Sequence, residues 1–217
     1  MANSHTKLLI LDIDETLVFA NAKPINGIQP DFEVGPYVVH KRPGVDNFLL
    51  ACAHIFDELA LWTTGSNSYA HAIARHLFLS LDLEPSFVWC SDRCTAVRQS
   101  PDRPARWIKD LKKVARRGYN LRRVLMVDNS PEKLRRHRNN LLHVQDFKGN
   151  PDDRELPLLN LYLPMIVNQN DLRILDKRTW RSQATAQDFT TPLPLMPRPT
   201  QPTRPAPPLG ATNLDAF

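Results

Sequence analysis

Short apolar runs recur along the first 150 residues, and turn-forming or polar residues follow each of them. The runs are rich in Leu, Ile and Val and have the length of strands that are buried on both faces. They lie at residues 7–13, 58–62, 87–90, 123–127 and 141–147, with a shorter candidate at 37–41. This pattern predicts a set of buried strands, two of which lead directly into acidic residues.

Segments with a helical spacing of apolar residues alternate with these strands. They lie at residues 45–56, 69–77, 107–115 and 156–167. Pro43 and Pro104 suit the first turns of two of them, and Ser66 or Ser68 can cap the second. Residues 14–36 contain several prolines and glycines and are predicted to be a loop. Strands that alternate with helices predict an α/β domain with a mostly parallel sheet.

The composition changes near residue 181, so we predict a folded domain at residues 1–180 and a tail at 181–217. Eight of the 19 prolines lie between Pro192 and Pro208, with few large apolar residues among them. Such a segment cannot bury enough surface to offset its ordering entropy. We therefore expect an extended, disordered tail. A role as a ligand for an aromatic-lined groove, through residues 202–205, is the alternative.

Overall composition restricts the class of protein. No apolar run approaches the ~20 residues that span a bilayer, and residues 1–6 lack the features of a secretory signal. Three cysteines are too few and too unevenly placed for a disulfide framework. We therefore expect an intracellular, cytoplasmic protein without a membrane partner, or a nuclear one in a eukaryotic cell.

The formal net charge of +5 is unevenly distributed, because residues 103–138 carry many more Lys and Arg than Asp and Glu. Such a stretch can attract a polyanion or a phosphorylated partner. The simpler interpretation is a basic helix face in contact with solvent.

Two acidic residues, Asp12 and Asp14, follow the first apolar run. Ligands of an open parallel sheet bind beyond the carboxyl ends of its strands. Two carboxylates this close repel each other, and a cation that prefers oxygen ligands, such as Mg²⁺, would relieve the repulsion. One carboxylate can then attack phosphorus as a nucleophile, while the other transfers protons to the leaving oxygen and from water. The same pattern is also typical of a turn after a strand.

Three further groups are candidates for the same site. Asp128 and Asn129 follow another apolar strand and add oxygen ligands at the same sheet edge. Thr63 and Thr64 end a third strand and can bind phosphate oxygens near a helix N-terminus. Lys109 can offset phosphate charge in a transition state. The simpler interpretations are an Asx turn, a helix cap and a solvent-exposed lysine, respectively.

The order of these elements along the chain resembles that of the haloacid-dehalogenase superfamily. Within it, the sequence is similar to the RNA polymerase II carboxy-terminal-domain phosphatases and their small relatives, also called the NLI-interacting-factor-like family. The resemblance covers roughly residues 7–167 and includes a closing segment at 152–163. It rests on LLILDIDETLV (8–18), KRPGVDNFL (41–49), WTTGSNSYA (62–70), WIKDL (107–111) and VLMVDNSP (124–131).

This resemblance implies a Rossmann-like parallel sheet flanked by helices, with a small insert between the second and third motifs. It implies a Mg²⁺-dependent phosphatase that forms an aspartyl-phosphate. In that reaction Asp12 is the nucleophile, Asp14 is the general acid and base, and Lys109 neutralises the phosphoaspartate.

The resemblance also implies how the metal and the phosphate are bound. Thr16 orients the nucleophile loop, while Thr63 and Thr64 belong to the phosphate-binding motif. The implied metal ligands are Asp12, Asp14 through its backbone carbonyl, Asp128 and Asn129.

The resemblance favours a phosphoserine or phosphothreonine protein as the substrate. Residues 91–94 differ from the Arg-Glu-Ser-Cys element of the small phosphatases, so a polymerase-tail substrate does not follow. One alternative is a small-metabolite or nucleotide phosphatase on the same fold. A second alternative is a non-catalytic scaffold. A third is a phosphatase that acts on nucleic-acid ends, to which the basic stretch could bind. This third alternative is less favoured, because no cluster of aromatic residues offers a platform on which bases could stack.

Overall fold

A computed structural model describes residues 5–98 and 105–186 of the chain. Its elements follow one another in the order β1 (Leu8–Leu11), β2 (Val18–Asn21), β3 (Phe32–Val34), β4 (Tyr37–Lys41), α1 (Val45–Ile55), β5 (Glu58–Trp62), α2 (Asn67–Phe78), β6 (Val88–Trp89), β7 (Thr95–Val97), β8 (Arg106–Ile108), α3 (Lys112–Ala115), β9 (Val124–Asp128), β10 (Leu141–His143), α4 (Glu155–Ile166) and α5 (Trp180–Thr185). No helix in these two described ranges is long and apolar enough to cross a membrane.

The central sheet has five strands in the order β10-β9-β1-β5-β6, and every neighbouring pair is parallel. Strand β1 lies in the middle, with Leu11 opposite Leu61 of β5 on one side and Val127 of β9 on the other. The predicted parallel sheet is thereby confirmed. Because the chain continues from β1 to β5 on one side and later returns to β9 on the other, the strand order reverses at β1. Ligands of open α/β sheets bind at such a reversal.

Strand β1 is fully buried because both of its faces are covered. Leu9 and Leu11 pack into a cluster with residues of α1, α2, α4 and α5. Leu8 and Ile10 point the other way, into a smaller cluster formed with α3 and neighbouring turns. A continuous apolar run is what such a two-sided strand requires.

A second sheet, antiparallel and three-stranded, has the order β2-β4-β3. It lies between the first acidic motif and β5, in the region where residues 14–36 were predicted to be a loop. That prediction was wrong for β2 and β3. Both strands have only three or four residues, and the prolines and glycines between them outweighed their weak strand pattern.

The segment before α3 also differs from its prediction. Residues 106–108 form β8, which pairs with β7 as an antiparallel ribbon, so the helix predicted over 107–115 was wrong for its first half. Helix α3 covers only Lys112–Ala115. The β7–β8 ribbon lies between the second and third motifs, where a small insert was expected.

Helix α5 continues the fold past residue 180, into the segment that we assigned to the tail. Trp180 and Ala184 of α5 are buried against the main cluster. The proline-rich segment itself, residues 187–217, lies outside the described residues. The predicted disorder of the tail and its groove-binding alternative therefore stay predictions.

Candidate active site

Three fully buried polar residues stand at the carboxyl ends of adjacent central strands. Asp12 directly follows β1, Thr63 directly follows β5, and Asp128 ends β9. The backbone N–H of Asp12 donates to the carbonyl of Val127 at 3.0 Å, which continues the pairing of β1 with β9. The reversal of the sheet therefore concentrates side chains that are far apart in sequence.

Two ammonium groups contact the carboxylate of Asp12. Lys109 Nζ lies 2.6 Å from Asp12 Oδ1 and 2.6 Å from Asp128 Oδ2, and all three side chains are fully buried. Lys133 Nζ lies 3.3 Å from the other oxygen, Asp12 Oδ2. Each oxygen of Asp12 therefore faces one cation.

These cations set the ionisation of the two buried carboxylates. Burial alone would raise the pKa of Asp12, but the charges of Lys109 and Lys133 outweigh it and lower this pKa. Burial and the negative charge of Asp12 raise the pKa of Asp128 despite its contact with Lys109. Asp12 is thus held as a carboxylate, which is the form that a nucleophile needs.

Asp14 lies in a different environment from Asp12. Tyr69 of α2 donates from its hydroxyl to Asp14 Oδ1 at 2.5 Å, and Thr63 donates to Asp14 Oδ2 at 3.0 Å. Burial raises the pKa of Asp14, and the charge of Asp12 adds to this, although the two hydrogen bonds oppose it. The upward direction of this pKa shift is the one that a general acid requires.

The loop between β5 and α2 places the two donors to Asp14. The Thr63 hydroxyl accepts a hydrogen bond from the backbone N–H of Gly65 at 3.0 Å. A Cβ on Gly65 would lie 3.1 Å from the Tyr69 ring, so glycine allows this ring to approach. Ser66 caps α2 by accepting from the backbone N–H of Tyr69 at 3.4 Å, which confirms one of the two predicted caps.

The turn after Asp14 is held from outside the sheet. Glu15 has a φ of 58°, a left-handed conformation that is uncommon for residues other than glycine. The fully buried Arg42 donates to the carbonyl of Thr16 at 3.1 Å and to the carbonyl of Gln145 at 2.9 Å. It also forms two hydrogen bonds of 2.7 Å to the carboxylate of Asp153. Arg42 thereby ties the turn after β1 to the segment after β10.

Asn129 connects β9 to the same turn. Its amide nitrogen donates to Glu15 at 3.1 Å and to Asp146 at 2.9 Å, and its amide oxygen accepts from the Thr16 hydroxyl at 3.4 Å. The neighbouring Asp128 accepts a hydrogen bond from the backbone N–H of Ser130 at 2.8 Å. Asp128 therefore forms the predicted Asx turn, and both Asp128 and Asn129 lie in the predicted site.

The fold brings together all but one of the predicted site residues. The members joined by side-chain contacts are Asp12, Asp14, Thr16, Thr63, Lys109, Asp128 and Asn129. Thr64 lies half-buried in the adjacent loop, and its hydroxyl has no hydrogen-bond partner among the described residues. The simpler interpretation of Lys109 as an exposed helix lysine was wrong, since it follows β8 and is fully buried.

Four residues of the site were not predicted to have a role there: Glu15, Arg42, Tyr69 and Lys133. Arg42 and Tyr69 lie inside segments that carry the family resemblance, which is the signal that could have identified them. Lys133 was one of many cations in the basic stretch. That stretch is not one helix face, because Lys109 and Lys133 face the site while Arg136 pairs with Asp110 at 2.8 Å.

Comparison with known proteins identifies the family. The model of the NLI interacting factor-like phosphatase family matches residues 7–173, so the chain belongs to this family of haloacid-dehalogenase-type phosphatases. The expected resemblance is thereby confirmed.

Relatives with assigned names agree with this membership. The human carboxy-terminal domain RNA polymerase II polypeptide A small phosphatase 1 is 34% identical over 155 residues, which cover 68% of this chain and 54% of the relative. The CTD nuclear envelope phosphatase 1 homolog of Drosophila melanogaster is 32% identical over 181 residues, which cover 77% of this chain and 70% of the relative. The chain spans about half the length of the human protein and of a small phosphatase from Dictyostelium discoideum, of which it covers 53%.

The fold also has a solved counterpart. The structure of the fission yeast RNA polymerase II CTD phosphatase Fcp1-R271A bound to beryllium fluoride superimposes with a TM-score of 0.50 at 17% identity. The match covers 83% of this chain and 49% of that chain. It confirms the haloacid-dehalogenase-like fold.

Proposed function

We propose that this chain hydrolyses phosphate monoesters through an aspartyl-phosphate on Asp12. The observation that carries the proposal is the opposite tuning of two neighbouring acids. Asp12 is buried and held ionised by Lys109 and Lys133, whereas the pKa of Asp14 is raised. Two carboxyl groups with pKa values pushed apart are typical of a nucleophile and an acid that share one reaction.

In the first step an oxygen of Asp12 attacks phosphorus, and the ester P–O bond breaks. The leaving oxygen takes the proton of Asp14. In the second step Asp14 takes a proton from water, whose oxygen attacks phosphorus and releases inorganic phosphate and free Asp12. Tyr69 and Thr63 hold the Asp14 carboxyl group in one orientation through both steps.

We propose Mg²⁺ as the cofactor. Mg²⁺ is usually bound by one or two carboxylates, several waters and the substrate phosphate. The carboxylates of Asp12 and Asp128, the carbonyl of Asp14 and the side chain of Asn129 offer such a set of hard oxygen ligands at one sheet edge. No cluster of three or more metal-binding side chains exists among the described residues, and a site of this kind does not need one. The chemistry that bound Mg²⁺ supplies there is neutralisation of phosphoryl charge.

We propose a phosphoserine or phosphothreonine protein as the substrate. An open cavity of about 380 Å³ lies beside Asp14, with Tyr37 and Tyr69 in its lining. A cavity that opens to solvent suits a phosphorylated side chain presented by a polypeptide. The named function of the human relative, a carboxy-terminal domain small phosphatase, supports the same substrate class.

The proposed place of action is inside the cell. Relatives named for RNA polymerase II and for the nuclear envelope support the nucleus at least as well as the cytoplasm. The membrane and nucleic-acid expectations stay predictions.

The test is an assay of the purified chain with p-nitrophenyl phosphate and Mg²⁺, repeated with Asp12→Asn and in the presence of EDTA. We expect Asp12→Asn to lower kcat by at least about 10³-fold, because removing a nucleophile removes the covalent route. EDTA should abolish hydrolysis and added Mg²⁺ should restore it. Asp92→Asn, at an exposed carboxylate outside the site, is the matched control and should behave as wild type.

The outcomes separate the alternatives. Wild-type hydrolysis by Asp12→Asn would refute the proposed nucleophile, and full activity in EDTA would refute the metal. A panel of phosphopeptides, nucleotides and small phosphate esters then distinguishes a protein phosphatase from a metabolite or nucleotide phosphatase. No hydrolysis of any of them by well-folded protein would favour the scaffold.

A further inference from the structure

The site contains a second lysine, Lys133, for which neither the family resemblance nor the sequence pattern assigned a role. It belongs to the short 3-10 turn Pro131–Leu134 that follows β9. Its ammonium lies 3.3 Å from Asp12 Oδ2, on the side of the carboxylate opposite Lys109. We propose that Lys133 binds the phosphoryl group of the substrate, moving from Asp12 to the phosphoryl oxygens as the ester enters. This proposal rests on the proposed phosphatase activity and adds to it the residue that receives the phosphate.

Lys109 is held more firmly by its present partners than Lys133 is. Its side chain is fully buried, and its ammonium already contacts two carboxylates at 2.6 Å each. Leaving Asp128 would strand a fully buried carboxylate with no other cation in contact among the described residues, which is costly in free energy. Lys109 therefore holds Asp12 and Asp128 in position and keeps Asp12 ionised.

Lys133 has the freedom that Lys109 lacks. Its side chain is 21% exposed, and among the described residues its ammonium contacts only Asp12 Oδ2, at a longer distance than either contact of Lys109. Its backbone is nevertheless fixed, because its carbonyl accepts from the backbone N–H of Lys109 at 2.7 Å and its own N–H donates to the carbonyl of Ser130 at 3.0 Å. The buried Leu134 anchors the same turn. The ammonium can therefore change partner while the turn stays in place.

The chemistry of the step also favours this movement. A carboxylate oxygen that no longer accepts a hydrogen bond from an ammonium is a stronger nucleophile toward phosphorus. The incoming phosphate ester is a dianion, and it offers Lys133 a more highly charged partner than the carboxylate that it leaves. Transfer of the ammonium from Asp12 Oδ2 to a phosphoryl oxygen frees the nucleophile and neutralises the electrophile in one motion.

A second ammonium in the site has two consequences of opposite sign. It strengthens the binding of phosphate, and it repels a divalent cation bound at the same carboxylates. Removing its charge should therefore weaken phosphate binding and strengthen Mg²⁺ binding. General damage to the site would weaken both, so the two affinities together distinguish a direct role from a structural one.

The experiment measures both affinities in full-length Lys133→Met, Lys133→Arg and, as a matched control, Lys112→Met. Lys112 is exposed, and its ammonium has no partner among the described residues. Isothermal titration calorimetry with inorganic phosphate at saturating Mg²⁺ gives the phosphate affinity. Repeating the phosphate titration at a series of Mg²⁺ concentrations gives the Mg²⁺ concentration at which phosphate binding is half-maximal.

We expect Lys133→Met to bind inorganic phosphate at least about tenfold more weakly, which corresponds to the loss of one charge-assisted hydrogen bond. Its half-saturating Mg²⁺ concentration should fall. Lys133→Arg should retain phosphate affinity to within a few-fold, and Lys112→Met should match wild type in both measurements. Unchanged phosphate affinity in Lys133→Met, or a loss of both affinities together, would overturn the proposal.

Thermal unfolding of the variants identifies a folding defect, and Lys133→Arg keeps the test valid if the Met variant is unstable. Because Lys133→Arg retains the charge, a stable Arg variant that binds phosphate more than about tenfold more weakly would also count against the proposal. A different variant tests the proposed phosphatase function itself. An Asp12→Asn variant that still hydrolyses esters refutes the nucleophile, whatever the phosphate affinity of the Lys133 variants.

Discussion

Asp12 and Asp14 are separated by one residue, yet their surroundings push their pKa values in opposite directions. The backbone turns after β1, so that Asp12 points to Lys109 and Lys133 while Asp14 points to Tyr69 and Thr63. Cations lower the pKa of one carboxyl group, whereas burial without a cation in contact raises that of the other. Side-chain direction within one turn thus gives the two acids the different surroundings that the proposed nucleophile and the proposed acid need.

Tyr69 provides a test of this separation through the pH profile. Its hydroxyl donates to Asp14, and this hydrogen bond stabilises the ionised carboxylate and so lowers the pKa of Asp14. Tyr69→Phe removes the hydrogen bond, so the pKa of Asp14 should rise further. Asp14 must be protonated to release the leaving group, so the alkaline limb of kcat/KM should move to higher pH. The profile is measured with an alkyl phosphate, whose leaving oxygen needs a proton.

Tyr37→Phe is the control for that experiment. Tyr37 lines the same cavity and packs edge-on against Tyr69 at 5.8 Å between ring centroids. Its hydroxyl makes no hydrogen bond to Asp14, so the alkaline limb should stay in place. A shift to lower pH in Tyr69→Phe, or equal shifts in both variants, would contradict the assignment of Asp14 as the acid.

At the scale of elements, the site depends on a link that lies outside the central sheet. Strand β4 ends at Lys41, and the next residue, Arg42, reaches under the nucleophile turn to Thr16 and on to Asp153. Its guanidinium also lies over the ring of Phe147 at 5.4 Å from the centroid. This side chain therefore adds a buried link between the three-stranded sheet and the loops around the site, beside the backbone contacts of Glu15 with Val18.

Replacing Arg42 should therefore destabilise the fold. Arg42→Met leaves the carboxylate of Asp153 without its cation and two backbone carbonyls without the guanidinium donor, and we expect a loss of about 3–5 kcal/mol in the free energy of unfolding. Lys41→Met is the matched control, because its ion pair with Asp46 is partly exposed and should contribute less than about 1 kcal/mol. Urea unfolding of both variants gives the comparison. Similar losses would show that the buried guanidinium has no special structural role.

The same elements indicate what sequence patterns can and cannot predict. Strands β1, β5 and β9 were predictable because strands buried on both faces leave long apolar runs. Strands β2 and β3 were missed because three or four residues on a half-exposed sheet leave almost no pattern. The interval around Lys109 was predicted as a helix because apolar residues at 107, 108 and 111 fit a helical spacing as well as a short strand followed by a turn.

At the scale of the whole molecule, the site exists because the sheet order reverses at β1. Asp12, Thr63 and Asp128 could be predicted as neighbours, since each ends an apolar strand and parallel strands share an edge. The strand pattern does not predict Lys133 or Tyr69, because their positions depend on how a turn and a helix pack against that edge. A lysine two residues after a proline turn has the same local sequence whether it faces solvent or a carboxylate.

The C-terminal boundary of the domain is also a property of the whole fold, and the contacts of α5 allow it to be tested. Trp180 is buried, and its indole N–H donates to the carbonyl of His143 at 2.9 Å. Arg181 pairs with the buried Glu155 at the start of α4, and Glu155 also accepts from the backbone N–H of Gln145 at 2.9 Å. Helix α5 thereby covers both the main cluster and a buried carboxylate.

A chain that ends at residue 179 should therefore be less stable than one that ends at residue 186 by at least about 3 kcal/mol, the usual cost of removing a buried tryptophan side chain. The loss of Arg181 should add to this, because Glu155 would remain buried without its cation. The two shortened chains are compared by urea unfolding, so that any difference belongs to residues 180–186 alone. Equal stabilities would place the end of the domain at residue 180, as the composition alone suggests. The expected difference would place it after α5, because the burial of Trp180 and the ion pair of Arg181 with Glu155, and not the local sequence, then determine where the fold stops.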